Sequence, residues 1–146
     1  MFFDTGFLKT DEIYLQLDRV AEGDPAKGWV PAYHFHICLP DGTPVGKCDL
    51  RIGHNQKLYL GGNIGYSVDE PYRGHHYAGK ACRLLFELAR KHELGYVYIT
   101  CNVNNTPSAR TCEYAGAKQI AVEPVPEDSD MYQRGYRSVY VYRFDL

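Results

Sequence analysis

Long apolar runs are missing from this 146-residue chain. No segment approaches the roughly 20 consecutive apolar residues of a membrane-spanning helix. The opening MFFDTGFLKT carries Asp4 where a signal peptide needs an unbroken apolar stretch. Cysteine pairs are missing too. The five cysteines (Cys38, Cys48, Cys82, Cys101 and Cys112) include no CxxC spacing and are odd in number, so they read as small buried hydrophobes of a reducing cytosol. A basic excess is absent: the net charge is −2, which argues against nucleic acid as the main partner. The chain is also well short of the about 250 residues typical of a (β/α)8 barrel. With no internal repeat, low-complexity tract or linker, the expectation is a cytoplasmic single domain over residues 1–146 with no membrane or nucleic-acid partner.

What is present suits a packed core. Hydrophobic residues make up 45% and charged residues 23%, ordinary globular values. The 13 tyrosines suit strands with one apolar face and a polar rim. IYLQLDR (13–19) alternates with the period of a half-buried strand. A Gly/Pro-rich loop follows, then YHFHICL (33–39), with Tyr33, Phe35, Ile37 and Leu39 on one face and His34, His36 and Cys38 on the other. PDGTP (40–44) marks a hairpin into a strand near 45–52. KLYLGGNIGYSV (57–68) reads as a fourth strand bulged at Gly61-Gly62.

Ala78, Ala81, Cys82, Leu85, Leu88 and Ala89 then recur at three- and four-residue steps, which predicts an amphipathic helix stopped near Gly95. YVYIT (96–100) is a short buried strand. Thr106-Pro107 suits an N-cap and first helical position of a second helix ended by Gly116. Strands near 118–125 and 137–144 close the chain. The order predicts an α+β fold: a central twisted mixed sheet of about seven strands with two main helices, antiparallel before the first helix and with a parallel pair at the strand–helix–strand crossover.

Chemistry concentrates at the junction EPYRGHHYAGKA (70–81). A helix that starts there exposes unpaired N–H groups and the positive end of its dipole, an anion site that needs few lysines. A plain turn into a surface helix is the alternative for the junction taken alone. The wider segment 64–117 resembles the GCN5-related N-acetyltransferase (GNAT) superfamily. That family follows a strand with R/Q-x-x-G-x-G/A, and the stretch here is Arg73-Gly74-His75-His76-Tyr77-Ala78, with His76 in place of the central glycine. Asn105, Ser108, Arg110, Glu113 and Gly116 match a second signature, similar to that of ribosomal-protein N-terminal acetyltransferases, although Ala117 stands where that branch has phenylalanine.

The resemblance implies acetyl-coenzyme A as co-substrate, no metal, and direct attack of a primary amine on the thioester. It implies cofactor contacts from Tyr66, Ser67 and Val68, from Arg73, Gly74, His75, His76, Tyr77, Ala78 and Gly79, and from Asn105. Many family members use a tyrosine of the second helix as acid to the departing thiolate; Cys112 holds that register here, so Ser108 becomes the candidate, with a first-turn structural role as its alternative. Glu70 is the candidate base, with His54 and Asp69 also within reach; the alternatives are plain surface carboxylates for the two acids and a base that acts through water and leaves no local signature. The non-catalytic alternative is a coenzyme A sensor or scaffold. Residues 20–31 are too few for the two helices that family members place between the first strands, given helices of about 11 residues, so the acceptor cleft, for a small-molecule or peptide amine, should be open, or closed by a partner chain or by the C-terminal hairpin. His34 and His36 read as solvent-facing or acceptor-pocket residues rather than metal ligands. Tyr140, Tyr142 and Phe144 either finish the core or meet a second subunit in a homodimer.

Overall fold

A computed structural model of the protein describes residues 2–146. Strands β1 (Tyr14–Ala21), β2 (Ala32–Cys38), β3 (Pro44–Arg51) and β4 (Ile64–Val68) form one antiparallel sheet in chain order. Strands β5 (Tyr96–Asn102), β6 (Lys118–Pro124) and β7 (Ser138–Asp145) form a second, ordered β5-β7-β6 and also antiparallel. The α+β class and seven strands agree with the sequence reading. The hydrogen-bonded ladders, however, make two antiparallel sheets, and the expected parallel pairing of β4 with β5 is not a ladder.

One residue stitches the sheets together. Asn63, fully buried, donates its amide to the carbonyls of Arg51 (3.1 Å) and Gly53 (2.9 Å). Its Oδ1 accepts the Tyr98 N–H at 2.9 Å, and its own N–H reaches the Tyr98 carbonyl at 2.7 Å. Beyond Asn63 the strands part, and β4 is the edge of its sheet.

Lys57–Gly61, expected as strand, is helical: α1 spans Gln56–Gly61. Asn55 decides this, because its Oδ1 accepts the Leu58 N–H at 2.9 Å as an N-cap. Gly62, with φ 82°, ends the turn. The alternation of Leu58 and Leu60 fits a strand equally well, which is why the pattern misled. Between β1 and β2 stands only a short 3-10 turn, Pro25–Lys27.

Helix α2 (Tyr77–Lys91) buries Ala81, Cys82, Leu84, Leu85, Phe86, Leu88 and Ala89 in the main core beneath both sheets. It ends through Glu93, left-handed at φ 56°, two residues before the expected Gly95. Helix α3 (Thr106–Ala115) is capped by Asn105 rather than Thr106, so Pro107 takes the second helical position. The reason is reach: Asn105 Oδ1 accepts the Ser108 N–H at 3.2 Å. Gly116 closes α3 at φ 96° as expected. A last short helix, α4 (Asp130–Gln133), fills the β6–β7 connection. Tyr142 is buried and Phe144 stacks on Phe86 at 3.9 Å, so the C-terminal aromatic face finishes the core.

Tyr33, on β2, accepts the Phe3 N–H at 2.8 Å and lies 2.6 Å from His92 Nε2. Burial lowers the pKa of His92. Unfolded histidine titrates near 6.5, so this contribution to stability is complete above that pH and is lost as the pH falls below it, where the unfolded chain binds the proton more readily. Melting curves should show Tm falling between pH 7 and pH 5.5, and falling less in His92→Gln.

Candidate active site

Where β4 leaves β5, a cavity of about 490 Å3 opens between β4, the turn after it, and the first turns of α2 and α3. Its walls are Tyr66, Ser67 and Val68; Tyr72, Arg73, Gly74, His76, Tyr77 and Ala78; and Asn105, Pro107, Ser108, Arg110 and Thr111. Two helix N-termini thus face one space.

The turn is built to keep the amides of α2 open. Arg73 Nε donates to the Val68 carbonyl at 2.9 Å and ties the turn to the end of β4. Gly74 has φ 93° with open space where a Cβ would stand. His76 holds the N-cap position at φ 61°, ψ 24°, and its side chain caps no amide. A left-handed L-residue costs about 1–2 kcal/mol, which explains why glycine is the motif's residue there. Stacking of the His76 ring on Tyr114, at 4.2 Å and 4° between planes, offsets part of this, since aromatic pairs contribute about 0.5–1.5 kcal/mol.

Tyr66 closes the floor. Its hydroxyl donates to the Ser108 carbonyl at 3.0 Å and lies 2.8 Å from Ser108 Oγ and 3.4 Å from Cys112 Sγ. Burial, reinforced by the neighbouring thiols of Cys112 and Cys82, pushes the Tyr66 phenol far up, so it stays protonated. The Cys112 thiol is pushed up as well, by its hydrogen bond with Cys101 and by burial. A tyrosine hydroxyl therefore does stand beside position 112, delivered from β4 rather than from α3.

Among the residues singled out in the sequence, Tyr66, Ser67, Val68, Arg73, Gly74, His76, Tyr77, Ala78, Asn105 and Ser108 line this one cavity. Glu70, His75 and Gly79 lie outside its lining. Glu70 is exposed on the 3-10 turn Glu70–Tyr72. The exposed His75 stacks on Tyr77 at 5.2 Å. Gly79 is buried against α3, where an added Cβ would come within 2.3 Å of the Tyr114 ring; its lack of a side chain serves helix packing. Of the other base candidates, His54 bonds the Leu94 carbonyl at 2.9 Å and stacks on Tyr96, and Asp69 begins the 3-10 turn.

The family model described as acetyltransferase (GNAT) domain matches residues 7–118. The chain belongs to the GNAT acetyltransferase family. Among curated proteins none matches the sequence at a significant level. Of the solved structures, the GNAT-family acetyltransferase from Bacillus anthracis superposes with a TM-score of 0.60 at 19% identity, over 77% of this chain and 65% of its own. RimJ of Mycobacterium smegmatis, in complex with a coenzyme A disulfide, gives 0.62 at 20% over 79% and 53%. The ribosomal-protein-S5-alanine acetyltransferase of Vibrio fischeri gives 0.62 at 17% over 78% and 61%. These likenesses establish the GNAT fold. The chain spans under two thirds of the length of these three relatives.

Within this GNAT domain, sequence reasoning missed Tyr72, Pro107, Arg110 and Thr111 as cavity residues. Arg110 was visible in the second signature, and its place one turn after Pro107 on α3 puts a cation at the mouth. Tyr72 had no comparable signal, because its orientation comes from the 3-10 turn.

Proposed function

We propose that the protein transfers the acetyl group of acetyl-coenzyme A to a primary amine by direct attack. The observation that carries this reading is the single cavity bounded by the free edge of β4 and by the uncapped first turn of α2. The residues suit a linked diphosphate and its amide arm. Amides of residues 76–79 point along the start of α2, where an anion is favoured. Arg73 and Arg110 supply charge at the rim, and the exposed edge of β4 offers main-chain groups to an extended amide chain.

Bound there, acetyl-coenzyme A supplies an activated acyl carbon. The amine must first lose the proton it carries in water, since lysine-type amines titrate near 10.4. Its nitrogen would then bond to the carbonyl carbon, the C–S bond would break with the electron pair leaving on sulfur, and the nitrogen's surplus proton would end on that sulfur, giving the amide and the free thiol. The main-chain N–H groups of Tyr66 and Val68, which alternate to the edge of β4 away from β3, are the donors for the oxygen that becomes negative. The Ser108 hydroxyl, held by Tyr66, hydrogen-bonds the departing sulfur.

The test pairs two measurements. Coenzyme A at 100 times its Kd should stabilise the protein by about 2.7 kcal/mol in a thermal shift, and thiol release should accompany acetylation across an amine panel. Binding without thiol release would leave a coenzyme A sensor; no binding would remove both readings. His76→Gly relieves the left-handed cost and clears the ring from the wall, so coenzyme A affinity by calorimetry should rise. A marked loss would mean that the imidazole donates to the phosphates.

A further inference from the structure

The face of the first sheet turned away from α2 and α3 carries groups that cofactor binding leaves unused. Strand register places Arg19, His34, Asp49 and Gly65 in one row across β1–β4, and His36, Lys47 and Ser67 in the next. They line a polar cavity of about 310 Å3 that also includes Tyr66 and Ser67, both of which line the cofactor cavity. The two spaces meet across β4. On the same face, one row further where Ala32 pairs with Arg51, a third cavity of about 620 Å3 is walled by Ala21, Trp29, Val30 and Leu58. Trp29 is 58% exposed, more than Ile120 or Val122.

Asp49 lies between these spaces. Its side chain is only 14% exposed, and Oδ2 pairs with Arg51 at 3.1 Å. Arg51 is in turn fixed to the Gly62 carbonyl at 2.9 Å. Oδ1 lies over Gly65, so near that a Cβ there would be 2.5 Å away. The missing side chain at Gly65 is what lets a carboxylate oxygen approach the edge of β4. Short connections explain why this face is open: only the 3-10 turn Pro25–Lys27 separates β1 from β2.

We propose that this face binds the amine acceptor, with its nitrogen at Asp49 Oδ1 and an apolar substituent in the cavity under Trp29. The row of Asp49 and that of Arg51 are about 7 Å apart, two residues at about 3.4 Å each, a span suited to an arylethylamine or to a chain terminus with an apolar first residue. This assignment rests on the acetyl-transfer reading and names its substrate class: a cationic primary amine with an apolar body.

The experiment measures thiol release at saturating acetyl-coenzyme A with 2-phenylethylamine and with methylamine, which share the ammonium and differ in the body. Burial of the phenyl group predicts a kcat/KM at least about tenfold higher for 2-phenylethylamine. Asp49→Asn should raise KM for both amines at least about tenfold, the loss expected for a charged hydrogen bond, while the thermal shift with coenzyme A stays that of the wild type. Trp29→Ala, at an exposed position that tolerates truncation, should bring kcat/KM for 2-phenylethylamine down to within about threefold of that for methylamine, erasing the preference. Equal use of the two amines, coenzyme A binding without turnover of 2-phenylethylamine, or unchanged KM in Asp49→Asn would each overturn the assignment while the cofactor reading stood. Failure of coenzyme A to bind would overturn the acetyl-transfer reading itself, and this one with it.

Discussion

Replacing Ala78 by proline should lower coenzyme A affinity about ten- to a hundredfold while leaving the fold intact. Ala78 is the second residue of α2. Its N–H belongs to the first turn, where helical amides have no partner within the helix. Proline removes that one donor, fills its place with a ring, and breaks no helical hydrogen bond. The chain itself shows that the position tolerates proline, because Pro107 stands at the second residue of α3. A hydrogen bond to a charged group contributes about 1.5–3 kcal/mol, and each 1.4 kcal/mol is tenfold in affinity. Calorimetric titration gives the affinity and a melting curve without ligand gives the stability. Unchanged affinity in a folded Ala78→Pro variant would mean that the phosphates lie elsewhere.

The largest loss of stability from a single polar residue is expected at Asn63. Asn63→Leu has a similar volume but offers no hydrogen bond, so three main-chain groups lose their partner at once: the Tyr98 N–H and the carbonyls of Arg51 and Gly53. An unsatisfied buried group costs about 1–3 kcal/mol, so the variant should lose at least about 3 kcal/mol. Denaturant unfolding would measure this. The effect also reaches the site, because Asn63 fixes where β4 and β5 touch and therefore where they begin to part. If the variant retains partial fold, its coenzyme A affinity should be reduced as well. A loss under 1 kcal/mol would show that the sheets are held by packing alone.

These two positions mark the boundary of what could be read from residues alone. The α2 stripe was legible because Ala81, Cys82, Leu85, Leu88 and Ala89 repeat with the helical period whatever they pack against. The alternating strands and the Gly116 stop were legible for the same local reason. The stretch 57–68 was not. Its Leu58/Leu60 alternation fits a strand, and the deciding fact is a hydrogen bond from the Leu58 N–H to the Asn55 side chain. Likewise Thr106 and Asn105 both precede Pro107, and only the built turn shows that Asn105 reaches the Ser108 amide.

The same division runs through the site. The resemblance of Arg73–Ala78 to the family motif made that stretch the expected anion site, a reading open to the sequence because backbone amides at a helix start depend on sequence position. Side chains that converge from distant elements carried no such signal. Tyr66 and Cys112 are 46 residues apart, yet their polar atoms meet at 3.4 Å because β4 leaves β5 and turns its tyrosine under α3. Asp49 gave no hint until β-sheet register set it opposite Gly65. Local periodicity and turn chemistry are written along the chain. Which side chain faces which is decided only when sheets and helices pack, because that depends on distances between segments the sequence keeps apart.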